Sequence, residues 1–315
     1  MKKLLKNIIS KKSEIVRIFF FAALVAALIV FFIKNTSTGS RKESSLSFFK
    51  NKQQQPILYS YPKKTPDFLN APETTARSAV VVDSKTGITL YEKNPNLRHL
   101  PASTTKLLTA LVALEKCSPK DLITINNVNG EGTQMGLEVG DQLSVESLLY
   151  GMLVNSGNDA AYALAQACGN SYSDFVRNMN LKAKELGLLN SHFQNPAGFD
   201  DSDQYSTARD LAKIDQISVA NPLIAKIVST QTAVVTNAHQ TKSYYLQNIN
   251  KLLGQVEGLE GVKTGQTEGS LEILLTKTTR NNNTIIVAIL GSQDRFGETK
   301  SLIEWAFKNH IWVNP

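Results

Sequence analysis

Residues 100–116 read LPASTTKLLTALVALEK, a helix start that divides a strand-rich stretch of the chain from a helix-rich one. From Ser103 onward, Leu107, Leu108, Leu111, Val112 and Leu114 recur at helical spacing and end at Glu115 and Lys116. Upstream, residues 78–83 and 88–92 are β-rich runs joined by Ser84-Lys85-Thr86-Gly87, a hairpin turn by composition. Downstream, helical stretches are expected at 144–154, 158–168, 171–187 and 207–219, with Gly- and Asn-rich loops between them. Strand character returns at 231–236, 242–247 and 259–264. A hairpin of 271–279 and 284–291 turns at 280–283, and a last helix covers 297–309. Strands at both ends with helices between them predict an α/β domain in which one antiparallel sheet is built from both ends and carries a helical subdomain. The cleft between sheet and helices is the expected binding site.

The front of the chain has a different character. Of the net charge of +7, residues 1–17 carry +5 and residues 34–70 another +5, leaving 71–315 at −3. The basicity is thus confined to the front, and a nucleic-acid partner is not expected. Residues 18–33 (IFFFAALVAALIVFFI) form an unbroken apolar run, extended by Ile15 and Val16 across Arg17. At about 1.5 Å per residue, such a run just crosses a hydrocarbon layer of about 30 Å. The basic segment 1–17 keeps the N-terminus cytoplasmic and directs the rest outward. A cleaved signal peptide is the competing reading, and the absence of an Ala-x-Ala after the run favours an uncleaved anchor. Residues 34–70, with QQQP at 53–56, read as a polar tether, and 71–315 as the folded domain. Cys117 and Cys168 form no CxxC pair; one disulfide is open to them, but two free, buried, apolar thiols are the expectation. The four histidines lack metal-ligand spacing, so neither a metal nor another cofactor is expected.

Three short motifs carry chemistry. Ser103-Thr104-Thr105-Lys106 puts an amine three residues after a hydroxyl, on the same face of a helix start, where it can act as that hydroxyl's base. The same pattern occurs at Ser47–Lys50 and Ser60–Lys63, neither of which opens an apolar helix. The competing role for Ser103 is a helix N-cap. Ser156-Gly157-Asn158 falls between two helical stretches, where a loop can present a hydroxyl and an amide or make a simple turn. Lys263-Thr264-Gly265 lies on a strand whose ammonium and hydroxyl suit a carboxylate, while Gly265 would let a ligand lie close to the strand. Lys85-Thr86-Gly87 has the same letters at a hairpin tip. The helix, loop and strand motifs in this order form the combination found in β-lactamases and penicillin-binding proteins.

From about Arg77 to Trp312 the chain resembles the D-alanyl-D-alanine carboxypeptidases, the low-molecular-weight penicillin-binding proteins. The likeness includes AVVVD at 79–83, LPASTTK at 100–106, MGL at 135–137 and NPAGF at 195–199. It extends through YSTARDL at 205–211, NINKLLG at 248–254, GVKTG at 261–265 and Arg295-Phe296. The resemblance implies a β-lactamase/transpeptidase-like fold, peptidoglycan stem peptides ending in D-Ala-D-Ala as substrate, and β-lactams as covalent inhibitors. It implies Ser103 as nucleophile and a neutral Lys106 as its base, with like-charge repulsion from Lys263 lowering the Lys106 pKa. Ser156 and Lys263 would relay a proton to the leaving amine, and Asn158 would position Lys106. The N–H groups of Ser103 and Gln266 would form the oxyanion hole, with Thr264 and Arg295 holding the terminal carboxylate. The chain departs from the family at Ser270-Leu271, where a small Ala-Gly pair is usual, which puts the local strand packing in question. A D,D-endopeptidase would use the same groups. A β-lactamase would need a glutamate-activated water, and the stretch 188–194 (LLNSHFQ) holds no acid.

Overall fold

The runs AVVVD at 79–83 and TIIVAIL at 284–290 lack the alternation of a half-exposed strand, and such runs belong at the centre of a sheet covered on both faces. They take that place in the computed structural model, which describes residues 59–315. Strands β2 (Ser78–Asp83) and β10 (Asn283–Ser292) pair in the middle of an antiparallel sheet. β3 (Thr89–Lys93) flanks β2, and β9 (Leu271–Arg280) and then β8 (Leu259–Thr267) flank β10. Chain order is thus split: the sheet's first strands precede the helices and the last three come after them, as expected. Val80, Ile286, Ala288 and Leu290 face one core, and Ala79, Val81, Ile285, Val287 and Ile289 face the other.

The first core is closed by helices α1 (Thr105–Lys116), α2 (Val145–Leu153), α3 (Asn158–Ala167), α4 (Tyr172–Glu185), α5 (Ala208–Ser218) and α6 (Pro222–Val228). The second is closed by α7 (Arg295–Asn309) through Leu302, Ile303, Trp305 and Ala306. Ser144, Ser171, Thr207 and Asn221 each cap the next helix by accepting a backbone N–H, which accounts for these starts. Three two-stranded ribbons complete the fold: β4 (Leu122–Thr124) with β5 (Gln142–Ser144), β6 (Thr232–Thr236) with β7 (Ser243–Gln247), and β1 (Tyr61–Lys64) with β11 (His310–Val313).

Two expectations are corrected. The fold begins before residue 71: β1 pairs with β11, and the Phe68 ring packs edge-on against Trp305 and His310. The last part of the expected tether is therefore part of the domain, held by the C-terminal strand that a short polar run does not announce. Cys117 and Cys168 are joined in a disulfide rather than free, with Cα atoms 5.6 Å apart. Each stands directly after the last residue of α1 or α3, and the packing of these helices brings together thiols 51 residues apart. The expected anchor at 18–33 lies outside the described residues, and among those described no helix is long and apolar enough to cross a membrane.

Candidate active site

Ser103 lies in a single 3-10 turn, Ala102–Thr104, which leads into α1. The Lys106 Nζ sits 2.8 Å from the Ser103 Oγ, one helical turn away as the spacing required. Two further groups approach that nitrogen, the Asn158 Oδ1 at 2.7 Å and the Ala197 carbonyl at 2.7 Å. Both are acceptors with no hydrogen to give. A neutral amine has two N–H bonds and one lone pair. Lys106 in that state, with its two hydrogens donated to Asn158 and Ala197, would have its lone pair left for the Ser103 hydroxyl; as an ammonium it donates to all three. Lys106 is wholly buried. Burial first, and the Lys263 ammonium second, push its pKa well below the ordinary lysine value, with the Asp159 carboxylate opposing. Like-charge repulsion was the expected cause, and desolvation exceeds it.

The Asn158 amide cannot turn over without loss, because its Nδ2 donates to the Glu131 carbonyl at 2.5 Å while its Oδ1 serves Lys106. Beside it, the Asp159 carboxylate accepts the N–H groups of Met135, Gly136 and Leu137 at 2.9, 2.9 and 3.0 Å. The MGL stretch is thus the backbone cradle that anchors the start of α3. Ser156 has φ +59°, a left-handed conformation that costs a non-glycine residue about 1–2 kcal/mol. In that conformation its Oγ accepts a hydrogen bond from the Lys263 Nζ at 2.9 Å. Lys263 also donates to the Thr264 carbonyl at 3.0 Å. Burial, and then the Arg295 guanidinium, bring the Lys263 pKa down to about 7.

Gly265 also meets a packing constraint inside the protein. A Cβ there would lie 3.1 Å from the Ala102 Cβ and 3.3 Å from the Ser103 nitrogen, so the missing side chain seats β8 against the turn that carries Ser103. Gly198 makes the same accommodation from the opposite side, where a Cβ would run into the Ala102 carbonyl. Arg295 is buried at the start of α7; its Nη1 donates to the Gly265 carbonyl at 3.0 Å and its backbone N–H to Glu272 at 2.9 Å. At the Ser270-Leu271 departure the hairpin stays in register, with Thr267 opposite Leu271. The Ser270 hydroxyl accepts the Thr267 N–H and donates to the Leu271 carbonyl, while Leu271 itself takes φ +56°.

Six of the nine expected site residues, Ser103, Ser156, Thr264, Gly265, Gln266 and Arg295, line one cleft of about 220 Å³. The other three, Lys106, Asn158 and Lys263, lie buried behind it, reached through the bonds just described. The two look-alike motifs among the described residues are elsewhere: Ser60–Lys63 runs into strand β1, and Lys85 at its hairpin tip donates to the Asn282 carbonyl. Sequence reasoning missed the Ala197 carbonyl, the cradle at Asp159, and Thr133 and Ile249 in the cleft wall. The NPAGF and NINKLLG stretches contain two of these, but backbone carbonyls and wall positions leave no mark in residue type.

The chain is 34% identical over 245 residues to the D-alanyl-D-alanine carboxypeptidase DacF of Bacillus subtilis, covering 75% of this chain and 63% of that protein. It thus spans just under two thirds of the length of the first curated relatives it matches. A D-alanyl-D-alanine endopeptidase of Pseudomonas aeruginosa is 32% identical over 77% of this chain and 81% of its own length. The crystal structure of the Streptomyces K15 DD-transpeptidase superposes with a TM-score of 0.71 at 32% identity, covering 76% of this chain and all of that one. The model of the Peptidase_S11 family matches residues 65–294, so the chain belongs to the D-alanyl-D-alanine carboxypeptidase family.

Proposed function

We propose that the protein is a serine-type carboxypeptidase that removes the terminal D-Ala from peptidoglycan pentapeptides through an acyl-enzyme on Ser103. One observation carries this reading: the buried Lys106 nitrogen lies 2.8 Å from the Ser103 Oγ and has two other acceptors, so that in its neutral form its lone pair would face the Ser103 hydroxyl. Lys106 takes the serine proton as Oγ attacks the penultimate D-Ala carbonyl. The N–H groups of Ser103 and Gln266 receive the developing oxyanion. Lys263, near neutrality in proton affinity and bonded to Ser156, can pass a proton to the departing amine. Thr264 and Arg295 hold the carboxylate of the leaving D-Ala. Water then hydrolyses the ester, with Lys106 again as base. β-Lactams enter the same cleft and acylate Ser103.

The chemistry belongs outside the cytoplasm, with residues 18–33 as a membrane anchor and the N-terminus inside. The apolar run and its basic flank support this, and so does the disulfide, since such bonds persist in oxidising compartments. The test is to incubate the purified full-length chain with a labelled penicillin and map the adduct by mass spectrometry. Label on Ser103, together with D-Ala release from a pentapeptide, is expected. Label elsewhere, or none, ends the proposal.

A further inference from the structure

Lys106 and Asn158, which meet through a 2.7 Å hydrogen bond, stand at the starts of α1 and α3. Cys117 and Cys168, which share the disulfide, stand directly after the ends of the same two helices. The helices are thus joined at both ends, and they lie side by side and parallel. At about 1.5 Å per residue the two links are roughly 15 Å apart. Between the links, each helix presents a single stripe. Lys106, Ala110, Ala113 and Cys117 succeed one another at i+3 and i+4 steps, and so do Asn158, Ala161, Ala165 and Cys168. Because both ends of the two stripes meet, the alanines between them line the seam, and all four are wholly buried in one core.

Helices resist sliding past one another when bulky side chains on one sit between those on the other. A methyl group makes a low ridge, so alanines let two helices approach closely while fixing their axial register weakly. Hydrogen bonding adds little. Among the described residues, Lys106 to Asn158 is the one side-chain hydrogen bond between α1 and α3. The start of each helix is anchored, but to other parts of the domain. The Asp159 carboxylate holds α3 to the N–H groups of Met135, Gly136 and Leu137, and Ala102 seats the turn before α1 against Gly198 and Gly265. Only the disulfide ties one helix to the other by a bond that cannot slide.

We infer that the Cys117–Cys168 disulfide is a positioning element of the active site, setting the register of α1 on α3 so that the Asn158 Oδ1 meets the Lys106 nitrogen. This rests on the proposed function, in which Lys106 is the base for Ser103, and adds to it a group some 15 Å from the chemistry. With the cross-link opened, the seam slips, Asn158 loses the lysine, and water reaches a nitrogen from which it is excluded. The charges that face Lys106 are the Lys263 ammonium on β8 and the Asp159 carboxylate on α3, and burial exceeds either in effect. Hydration therefore returns the lysine toward its ordinary proton affinity, and less of the base is neutral at a given pH. Cys117 is partly exposed, and the chain has no other cysteines, so a reductant has access and alters nothing else.

The experiment uses the full-length chain before and after reduction by a phosphine. The S–S bond becomes two thiols, and the phosphine is oxidised to its oxide with oxygen from water. Acylation of Ser103 by a labelled penicillin is then followed across concentration and pH. Reduction is expected to slow the maximal rate tenfold or more, to leave the half-saturating concentration within twofold, and to move the pH midpoint of the rate upward. Cys117→Ser combined with Cys168→Ser should reproduce all three. Asn158→Ala slows the oxidised protein by itself, and reducing that variant should slow it less than twofold further, since the cross-link acts through Asn158. An unchanged rate or pH midpoint after complete reduction would overturn the inference. So would equal slowing of wild type and Asn158→Ala, or slowing that accompanies loss of the folded domain's circular dichroism, because either makes the disulfide a support of the fold alone. Failure of the oxidised wild type to acylate Ser103 would remove the proposed function instead, by a signature independent of the thiols.

Discussion

Lys106 and Asp215 are both wholly buried against the same apolar core, one at the start of α1 and the other in α5. Burial pushes both toward neutrality: the lysine pKa falls, and the aspartate pKa rises well above its ordinary value, with Lys277 only partly opposing. Their surroundings differ. The lysine meets Ser103, Asn158 and Ala197 within 2.8 Å, whereas neither Asp215 oxygen has a hydrogen-bond partner among the described residues. Desolvation alone therefore makes no active group. In the proposed function the same physical penalty yields a base where acceptors orient the neutral form; where nothing does, it is a liability.

The largest way to break this contrast is Lys106→Met, which removes the base and should slow acylation of Ser103 by about a thousandfold. The rate of labelling by a fluorescent penicillin reads this, and Asp215→Leu in the same assay should stay within about twofold of wild type. Next in size is the cross-link behind the lysine's partners. Replacing both Cys117 and Cys168 by Ser should cost about 4 kcal/mol of stability, for a closed loop of 51 residues. Denaturant unfolding measures it, and an unchanged midpoint would mean that helix packing alone holds α1 to α3.

Asp215→Leu should stabilise the protein by about 1–3 kcal/mol, since it removes a buried polar group that nothing satisfies. The pH dependence sharpens this. The folded state keeps its proton above the pH at which the unfolded carboxyl ionises, so unfolding releases one there. The group's contribution is fully present below about pH 4 and is lost as pH rises toward the folded pKa. Wild-type stability, relative to Asp215→Asn, should therefore decline with rising pH over that window; a flat difference would mean that the carboxyl is solvated. The smallest effect is Leu271→Gly, which relieves a left-handed leucine and should add about 1 kcal/mol, read as a higher Tm.

The legibility of the site in the sequence turns on the same distinction. Ser103, Lys106, Ser156, Asn158 and Lys263 are chemically distinctive and stand at motif spacing, so their types and order were enough to nominate them. Ala197 acts through its carbonyl, which every residue possesses, and Ile249 acts by forming a wall. Gly265 has a further role that its residue type does not announce, because what its missing side chain avoids is Ala102, a neighbour known only after β8 and the 3-10 turn have packed. The cysteines were misjudged for a related reason: nothing in residues 118–167 states that two helix ends meet.

By itself, then, the sequence determined the alternation of strands and helices, the split sheet and the three motifs, because each rests on local periodicity or on a few neighbouring side chains. Tertiary structure alone decided the disulfide, the β1–β11 ribbon and the Asn158 and Ala197 acceptors of Lys106. These depend on distances between segments far apart in the chain, which are set by packing rather than by any local pattern. The helix start at Ser103 shows both: the spacing of Ser103 and Lys106 is written in four residues, and the other two acceptors that hold the lysine's nitrogen come from residues 52 and 91 positions away.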